Sequence, residues 1–187
     1  MKSPILRNAF KKLTLAFSGW ELSGQGIINN KQGEWWLIGQ VLLILAHLFP
    51  CSPPTIAFGF LWPKIFAYSG ILIFCIGIYL TCKSFLSLGI NLSPLPKPKP
   101  GANLVIGGSY KHCRHPLYQA ILICSFGYIL NLGSLMHLLI FAGLCAVLIG
   151  KAKKEEKQLL IRHKSYQNYL KETPAIIKNL PLFDWRA

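Results

Sequence analysis

Four long apolar stretches, separated by polar, proline-rich or basic segments, set the plan of this chain. They run at about 34–50 (EWWLIGQVLLILAHLFP), 65–88 (opening IFAYSGILIFCIGIYL), 117–131 (LYQAILICSFGYILN) and 134–150 (SLMHLLIFAGLCAVLIG). Their apolarity predicts membrane-crossing helices, although several fall short of the roughly 20 residues that cross a bilayer comfortably. Trp35, Trp36, Trp62 and Tyr118 stand near segment ends, where aromatic belts form. The third and fourth stretches are joined only by Leu132 and Gly133, which predicts a tight antiparallel hairpin.

The segments between them carry their own signals. Residues 1–33 interleave Lys2, Arg7, Lys11 and Lys12 with Ile5, Leu6, Phe10, Leu13, Leu15 and Phe17. That pattern reads either as an interfacial amphipathic helix or as a basic tail. Residues 23–33, rich in Gly, Asn and Gln, read as a linker into the domain at 34–187. Pro94, Pro96, Pro98 and Pro100 alternate between the second and third stretches. Their fixed φ predicts an extended, polyproline-like surface segment. After Gly150 the chain reads KAKKEEKQLLIRHKSYQNYLKETP over residues 151–174. Leu159, Leu160, Tyr166 and Tyr169 give this stretch an apolar side, so it is expected to be a helix folded back on residues 107–119.

Composition sharpens the picture. The chain is 52% hydrophobic with a mean hydropathy of +0.42, and only 14% of its residues are charged. An ordinary soluble domain carries roughly 25% charged residues. The formal net charge is +14, from 20 Lys+Arg against 6 Asp+Glu. With several apolar runs present, an anionic membrane surface suits that charge better than nucleic acid does. Counted between the apolar stretches, Lys and Arg number five, one, five, zero and nine. This alternation predicts four spans with both termini in the cytoplasm. The expected fold is therefore all-α and polytopic, with about four transmembrane helices. The low acid content and short loops look bacterial, which points to an inner membrane. No apolar run followed by a small-residue cleavage site stands at the N-terminus, so no cleaved signal peptide is expected.

The six cysteines form no CxxC pair. Cys75, Cys82, Cys124 and Cys145 lie within or beside apolar runs and are expected to be small core residues.

The densest chemistry is GGSYKHCRHPLYQ, residues 107–119, just before the third apolar stretch. Gly107 and Gly108 permit positive φ and close approach to the main chain. Pro116 suits a first helical turn, which puts Arg114 and His115 at a helix N-terminus. Glu155 and Glu156, two of only six acids, follow the fourth stretch. They are expected opposite the glycine-rich loop and His115. A carboxylate, main-chain groups and an apolar wall are what an adenosyl sulfonium cofactor requires.

The ordered pattern resembles a known family. LG-x-x-L-S-P is formed by Leu88, Gly89, Leu92, Ser93 and Pro94. LV-x-x-G-x-Y-x-x-x-RHP-x-Y is formed by Leu104, Val105, Gly108, Tyr110, Arg114, His115, Pro116 and Tyr118. EE-x-x-L and Y-x-x-Y are formed by Glu155, Glu156, Leu159, Tyr166 and Tyr169. Together these are similar to the isoprenylcysteine carboxyl methyltransferase and phospholipid N-methyltransferase superfamily, over residues 85–174. The resemblance implies an integral membrane enzyme using S-adenosylmethionine and a lipophilic or lipid acceptor. It implies a cytoplasmic cofactor site formed by the loop before span three and the C-terminal helix. By resemblance Gly107, Gly108, Tyr110, His115, Pro116, Tyr118, Glu155 and Glu156 bind the cofactor, and Arg114, His115 and Glu156 carry catalysis. The sequence departs from the family where Thr173-Pro174-Ala175 replaces a Val-Pro-Arg. Either the acceptor differs, or Lys178 supplies the missing cation.

Two other classes compete. A metal site would draw on His112, Cys113, His115 and His163, but the H-C-x-H spacing fits no common zinc pattern and Arg114 would repel a cation. A non-catalytic membrane adaptor or transporter subunit would place polar groups deep in its spans. Only Gln40, His47 and His137 lie so, while the polar chemistry gathers at the rim.

Overall fold

The computed structural model describes residues 24–30, 32–50, 55–98 and 101–186. The basic segment 1–23, Cys51 and Pro100 lie outside the described residues. The described chain is helical: α1 (Gly24–Asn29), α2 (Glu34–Ala46), α3 (Lys64–Leu88), α4 (Pro116–Leu132), α5 (Leu135–Arg162) and α6 (Tyr166–Glu172). Short 3₁₀ turns stand at Thr55–Phe58, Gly89–Asn91 and Gly108–Lys111. Within the expected linker, α1 forms instead of open coil.

The four apolar stretches become α2 to α5; α3 and α4 fall close to the expected bounds, α2 stops early at Ala46, and α5 runs on past Gly150 to Arg162. Two of them, α3 and α5, are long and apolar enough to cross a membrane. The 13 residues of α2 and 17 of α4 span about 20 and 26 Å at the usual helical rise. Both fall short of a hydrocarbon core of about 30 Å. The structure therefore supports two crossing helices by length, where the apolar pattern predicts four. The outer faces are broadly apolar: Leu42 and Leu45 on α2, Leu72 and Tyr79 on α3, and Leu139 on α5 are all exposed. A contiguous apolar surface of this kind marks contact with a membrane.

Small residues set the packing of α3 on α4. A Cβ added at Gly70 would meet the Asn131 backbone nitrogen at 2.4 Å, and one at Gly127 would meet the Phe74 nitrogen at 2.5 Å. Gly77 lies as closely on Cys124. The two backbones touch, as in membrane helix pairs built on small residues. On the other side Gly39, Gly143 and Gly150 of α2 and α5 receive Val147, Leu43 and Trp36 respectively. These contacts run antiparallel in both pairs. One end of the bundle thus gathers the starts of α2 and α4 with the end of α3 and Lys151 of α5. The lysine- and arginine-rich connections all emerge there.

The hairpin turn forms where expected. Gly133 closes α4 in the left-handed region at φ 62°, its N–H bonding the Ile129 carbonyl at 2.7 Å. Trp62 covers this turn and donates to the Leu130 carbonyl at 2.8 Å. Ser134 then caps α5 by accepting from the His137 N–H. Nearby, His47 bonds Ser125 at 2.6 Å and His137 bonds Ser134 at 2.8 Å. Both imidazoles are thereby satisfied inside the far end of the bundle.

Three expectations change. Cys75 and Cys82 are exposed on α3 rather than in the core, because the small residues facing α4 take the inward positions. The alternating prolines bend instead of running straight: the Ser93 hydroxyl bonds the Leu95 and Lys97 carbonyls, both at 3.2 Å. Leu95 and Pro96 are buried by that bend, with Pro96 set against Gly33. The tail helix is not continuous over 151–174. The fourth apolar helix runs on to Arg162, then breaks at His163 in extended backbone before α6.

Candidate functional site

A cavity of about 350 Å³ opens at the basic end of the bundle. Its outer part is lined by Ser93, Pro94, Tyr110, Glu155, Leu159, His163, Tyr166 and Tyr169. Its inner part reaches between the helices to Leu37, Gln40, Ile44, Phe85 and Ile121. One wall is therefore polar and aromatic, and the other aliphatic.

The loop before α4 is fixed from three directions. Pro116 starts α4 with His115 as its N-cap. The tail pairs with this loop through the main chain: the Arg114 N–H donates to the Pro174 carbonyl at 2.9 Å, and the His115 N–H to the Ala175 carbonyl at 3.0 Å. Gln119 adds a bond to the Ile176 carbonyl at 2.8 Å. Ala175 and Ile176 are fully buried as a result.

Arg114 is buried, and its guanidinium makes four hydrogen bonds. Nε donates to Glu156 Oε1 at 2.7 Å, Nη2 to Glu156 Oε2 at 3.4 Å, and Nη1 to the carbonyls of Leu170 (2.8 Å) and Thr173. His115 Nε2 donates to the same Glu156 Oε1 at 2.9 Å. A carboxylate accepts and does not donate, so this contact fixes the proton on Nε2. Nδ1 then faces Glu155, whose Oε2 lies 3.8 Å away. The His115 ring stacks on Tyr118, with centroids 5.3 Å apart and planes 2° from parallel. The Tyr118 hydroxyl donates to Glu155 Oε2 at 3.0 Å.

The two adjacent glutamates thus play different parts. Glu156 is closed in by Arg114, His115 and Trp185, and does not line the cavity. Glu155 lines it and keeps part of its carboxylate open. Of the residues singled out from the sequence, Tyr110, Arg114, His115, Tyr118 and Glu155 stand on the cavity wall. Gly107 and Gly108 are exposed and do not line the cavity, Gly108 in the left-handed region at φ 61° and Gly107 extended. Pro116 sits behind His115 as the helix start. Lys178 is exposed at the surface.

Burial shapes the tyrosines and the thiol around the rim. Desolvation, then the nearby Glu155 charge, pushes the Tyr110 hydroxyl far above its usual range, and it stays neutral. Cys113 is raised to about 11 by burial, partly opposed by a backbone hydrogen bond and by Arg114. Its thiol bonds Gln119 Oε1 at 3.5 Å. The Tyr169 hydroxyl donates to the Tyr110 carbonyl at 2.5 Å. Tyr166 lines the cavity, while its hydroxyl is buried without a hydrogen-bond partner among the described residues.

Sequence reasoning misses Gln40, Lys151 and Trp185. Gln40 lies far away in sequence, Lys151 looks like one more basic residue of the tail, and Trp185 follows the matched motifs. The only cue was the depth of Gln40 within an apolar stretch.

The apolar outer faces and the half-polar cavity at one end define a membrane-associated helical protein with a cavity at its rim. The model of the phospholipid methyltransferase family matches residues 65–167, more than half of the chain, and the chain belongs to that family. The family sits in the isoprenylcysteine carboxyl methyltransferase and phospholipid methyltransferase superfamily. It is a family of membrane methyltransferases acting on lipid-related substrates. A nickel-cobalt-cadmium resistance protein, NccN, of Alcaligenes xylosoxydans xylosoxydans is 31% identical over 90 residues. That match covers 46% of this chain and 40% of NccN, so the chain spans less than half the length of this relative.

Proposed function

We propose that the protein transfers a methyl group from S-adenosylmethionine to a lipophilic acceptor at the basic end of the bundle. The observation that carries this reading is the half-open Glu155 carboxylate on a cavity wall that also carries Tyr110, Leu159 and Tyr169. A carboxylate and an apolar, aromatic wall match what the cofactor requires, so the residues present fit it.

When bound, the cofactor supplies an electrophilic methyl on a sulfonium. Glu155 would hold its ammonium or ribose. Leu159, Tyr166 and Tyr169 would flank the adenine. The acceptor would enter between Leu37, Ile44, Phe85 and Ile121, which suit an apolar chain. Transfer then rests on alignment of acceptor and methyl in a preformed cavity. A carboxylate acceptor is already ionised. An amine, phenol or thiol must lose a proton, and His115 Nδ1, oriented by Glu156 on the other nitrogen, is the group to take it. Arg114 and Glu156 act as positioning residues that hold the loop.

The Lys/Arg distribution supports a cytoplasmic rim and cytoplasmic termini. Accessibility mapping with single cysteines at residues 108 and 155 tests this: labelling from opposite sides would defeat it.

Calorimetry of S-adenosylmethionine and S-adenosylhomocysteine on the detergent-purified full chain tests the function, beside His115→Ala and Glu155→Gln. Saturable binding that weakens in the variants supports it. No binding by a folded sample overturns it.

A further inference from the structure

Lys151 stands at the junction of the two halves of the cavity. It is the first residue beyond the apolar stretch of α5 and is only 2% exposed. Its Nζ donates to Gln40 Oε1 at 2.6 Å and sits 5.4 Å from the Tyr118 ring centroid. Both Lys151 and Gln40 line the cavity. An ammonium has three donors, and Gln40 occupies one.

The charges around it do not balance. Among the described residues, no carboxylate lies within salt-bridge distance of Lys151; the pairs are Arg114–Glu156, His115–Glu155, His115–Glu156 and Arg186–Asp184. Arg114, the other strong cation on the wall, is already matched by Glu156. The Glu155 charge, one helical turn on, reaches Lys151 without a direct ion pair, and its Oε2 accepts from Tyr118. A buried cation is costly without a directly bonded anionic partner. In the same cavity lining, Leu37, Ile44, Phe85 and Ile121 are aliphatic or aromatic, and Glu155 is the one carboxylate among the described residues.

Resting on the methyl-transfer reading of the cavity, we infer that Lys151, held by Gln40, is the counter-ion for an anionic group on the acceptor, a phosphate or carboxylate carried on an apolar chain. The apolar part lies along α2 to α4, and the anion sits at Lys151 beneath the cofactor pocket. An acceptor whose only charge is an ammonium is disfavoured twice, by Lys151 and by the sulfonium. Lys151 thereby supplies, from α5, the cation absent at Ala175, which is fully buried, and not furnished by the exposed Lys178.

The test is native mass spectrometry of the full chain in a neutral detergent. The sample is titrated with dodecyl phosphate, dodecanoate, dodecanol and dodecyltrimethylammonium. We expect one of the two anions to be retained roughly tenfold or more better than dodecanol, the scale of a charge-assisted hydrogen bond. Preference for phosphate assigns a phospholipid-like acceptor, and preference for carboxylate an acid; both support the inference. Lys151→Met should remove the preference and Lys151→Arg should keep most of it. Gln40→Glu conserves size and neutralises the lysine in place, so it should also remove the preference, and it serves if Lys151→Met does not fold. Equal retention of all four amphiphiles overturns the inference, as does a preference unchanged in Gln40→Glu. S-adenosylhomocysteine binding is read on the same samples. Its failure beside a Lys151-dependent preference defeats the proposed function alone. Its success without any anion preference defeats this inference alone.

Discussion

The indole N–H of Trp185 donates to Glu156 Oε2 at 2.6 Å, joining the tail to a carboxylate inside α5. That bond completes a buried cluster in which Arg114 and His115 bind the other oxygen. The Trp185 ring also lies 5.9 Å from the Arg114 guanidinium carbon and 5.4 Å from Lys153 Nζ. The last segment of the fold therefore closes the back of the site.

Glu156→Gln should act on stability. It leaves Arg114 buried with its charge unmatched, a loss of about 3–5 kcal/mol for a broken buried pair. Thermal unfolding in detergent should show a large fall in Tm. Glu155→Gln should keep the Tm and weaken S-adenosylhomocysteine binding roughly tenfold or more. The reverse pattern would exchange the roles assigned to the two glutamates.

Trp185→Phe should cost about 1–3 kcal/mol, since it keeps the ring and deletes a donor to a buried carboxylate. Chemical denaturation, with the midpoint compared against Trp185→Leu, checks this. An unchanged midpoint would mean that water replaces the indole.

Gly127→Ala should destabilise by about 1–3 kcal/mol or more, because the added methyl meets the Phe74 backbone at 2.5 Å and nothing flexible can yield. Gly59→Ala is the contrast. Its Cβ would meet nothing within 4 Å, although its φ of +72° brings a backbone cost. A Tm for Gly127→Ala at or above that of Gly59→Ala would contradict the close α3–α4 approach.

Cys113 gives a pH signature. Burial holds its pKa at about 11, above the ordinary 9.0. At pH 8 roughly one thiol in a thousand is ionised. Alkylation by iodoacetamide should be slow there and accelerate towards pH 11. Between pH 9 and 11 the folded chain keeps a proton that the unfolded chain has released, so stability should fall with rising pH across that window. Rapid alkylation at pH 8 would show that the loop opens.

Much of the fold was written in local signals. The apolar runs, Pro116 and Gly133 mark helix limits that depend on neighbouring residues alone, and α3, α4 and the start of α5 fall close to them. Length sets the limit: the apolar run at 34–50 counts His47 to Pro50, which lie beyond the end of α2, so the helix is shorter than its hydropathy implies. The RHP and EE motifs were legible as one site, but their division of labour was not. Which glutamate faces inward depends on a rotation of about 100° between neighbouring helix positions and on which partners wait on each side. The partners of Glu156 come from Arg114 and from Trp185, which no motif marks. Gln40 and Lys151 are separated by 111 positions in sequence, and nothing local announces their bond.

The pairing of Pro174 and Ala175 with the loop before α4 also sets an order of events during synthesis. Domains form from the N-terminal side as the chain emerges. Once α5 has been made, Arg114 still lacks the Leu170 and Thr173 carbonyls, and Glu156 lacks its indole. A ribosome stalled in α5 would hold a chain already rooted in the bilayer, its arginine uncovered. The loop before α4 is latched late, once the segment from Leu170 to Trp185 has emerged.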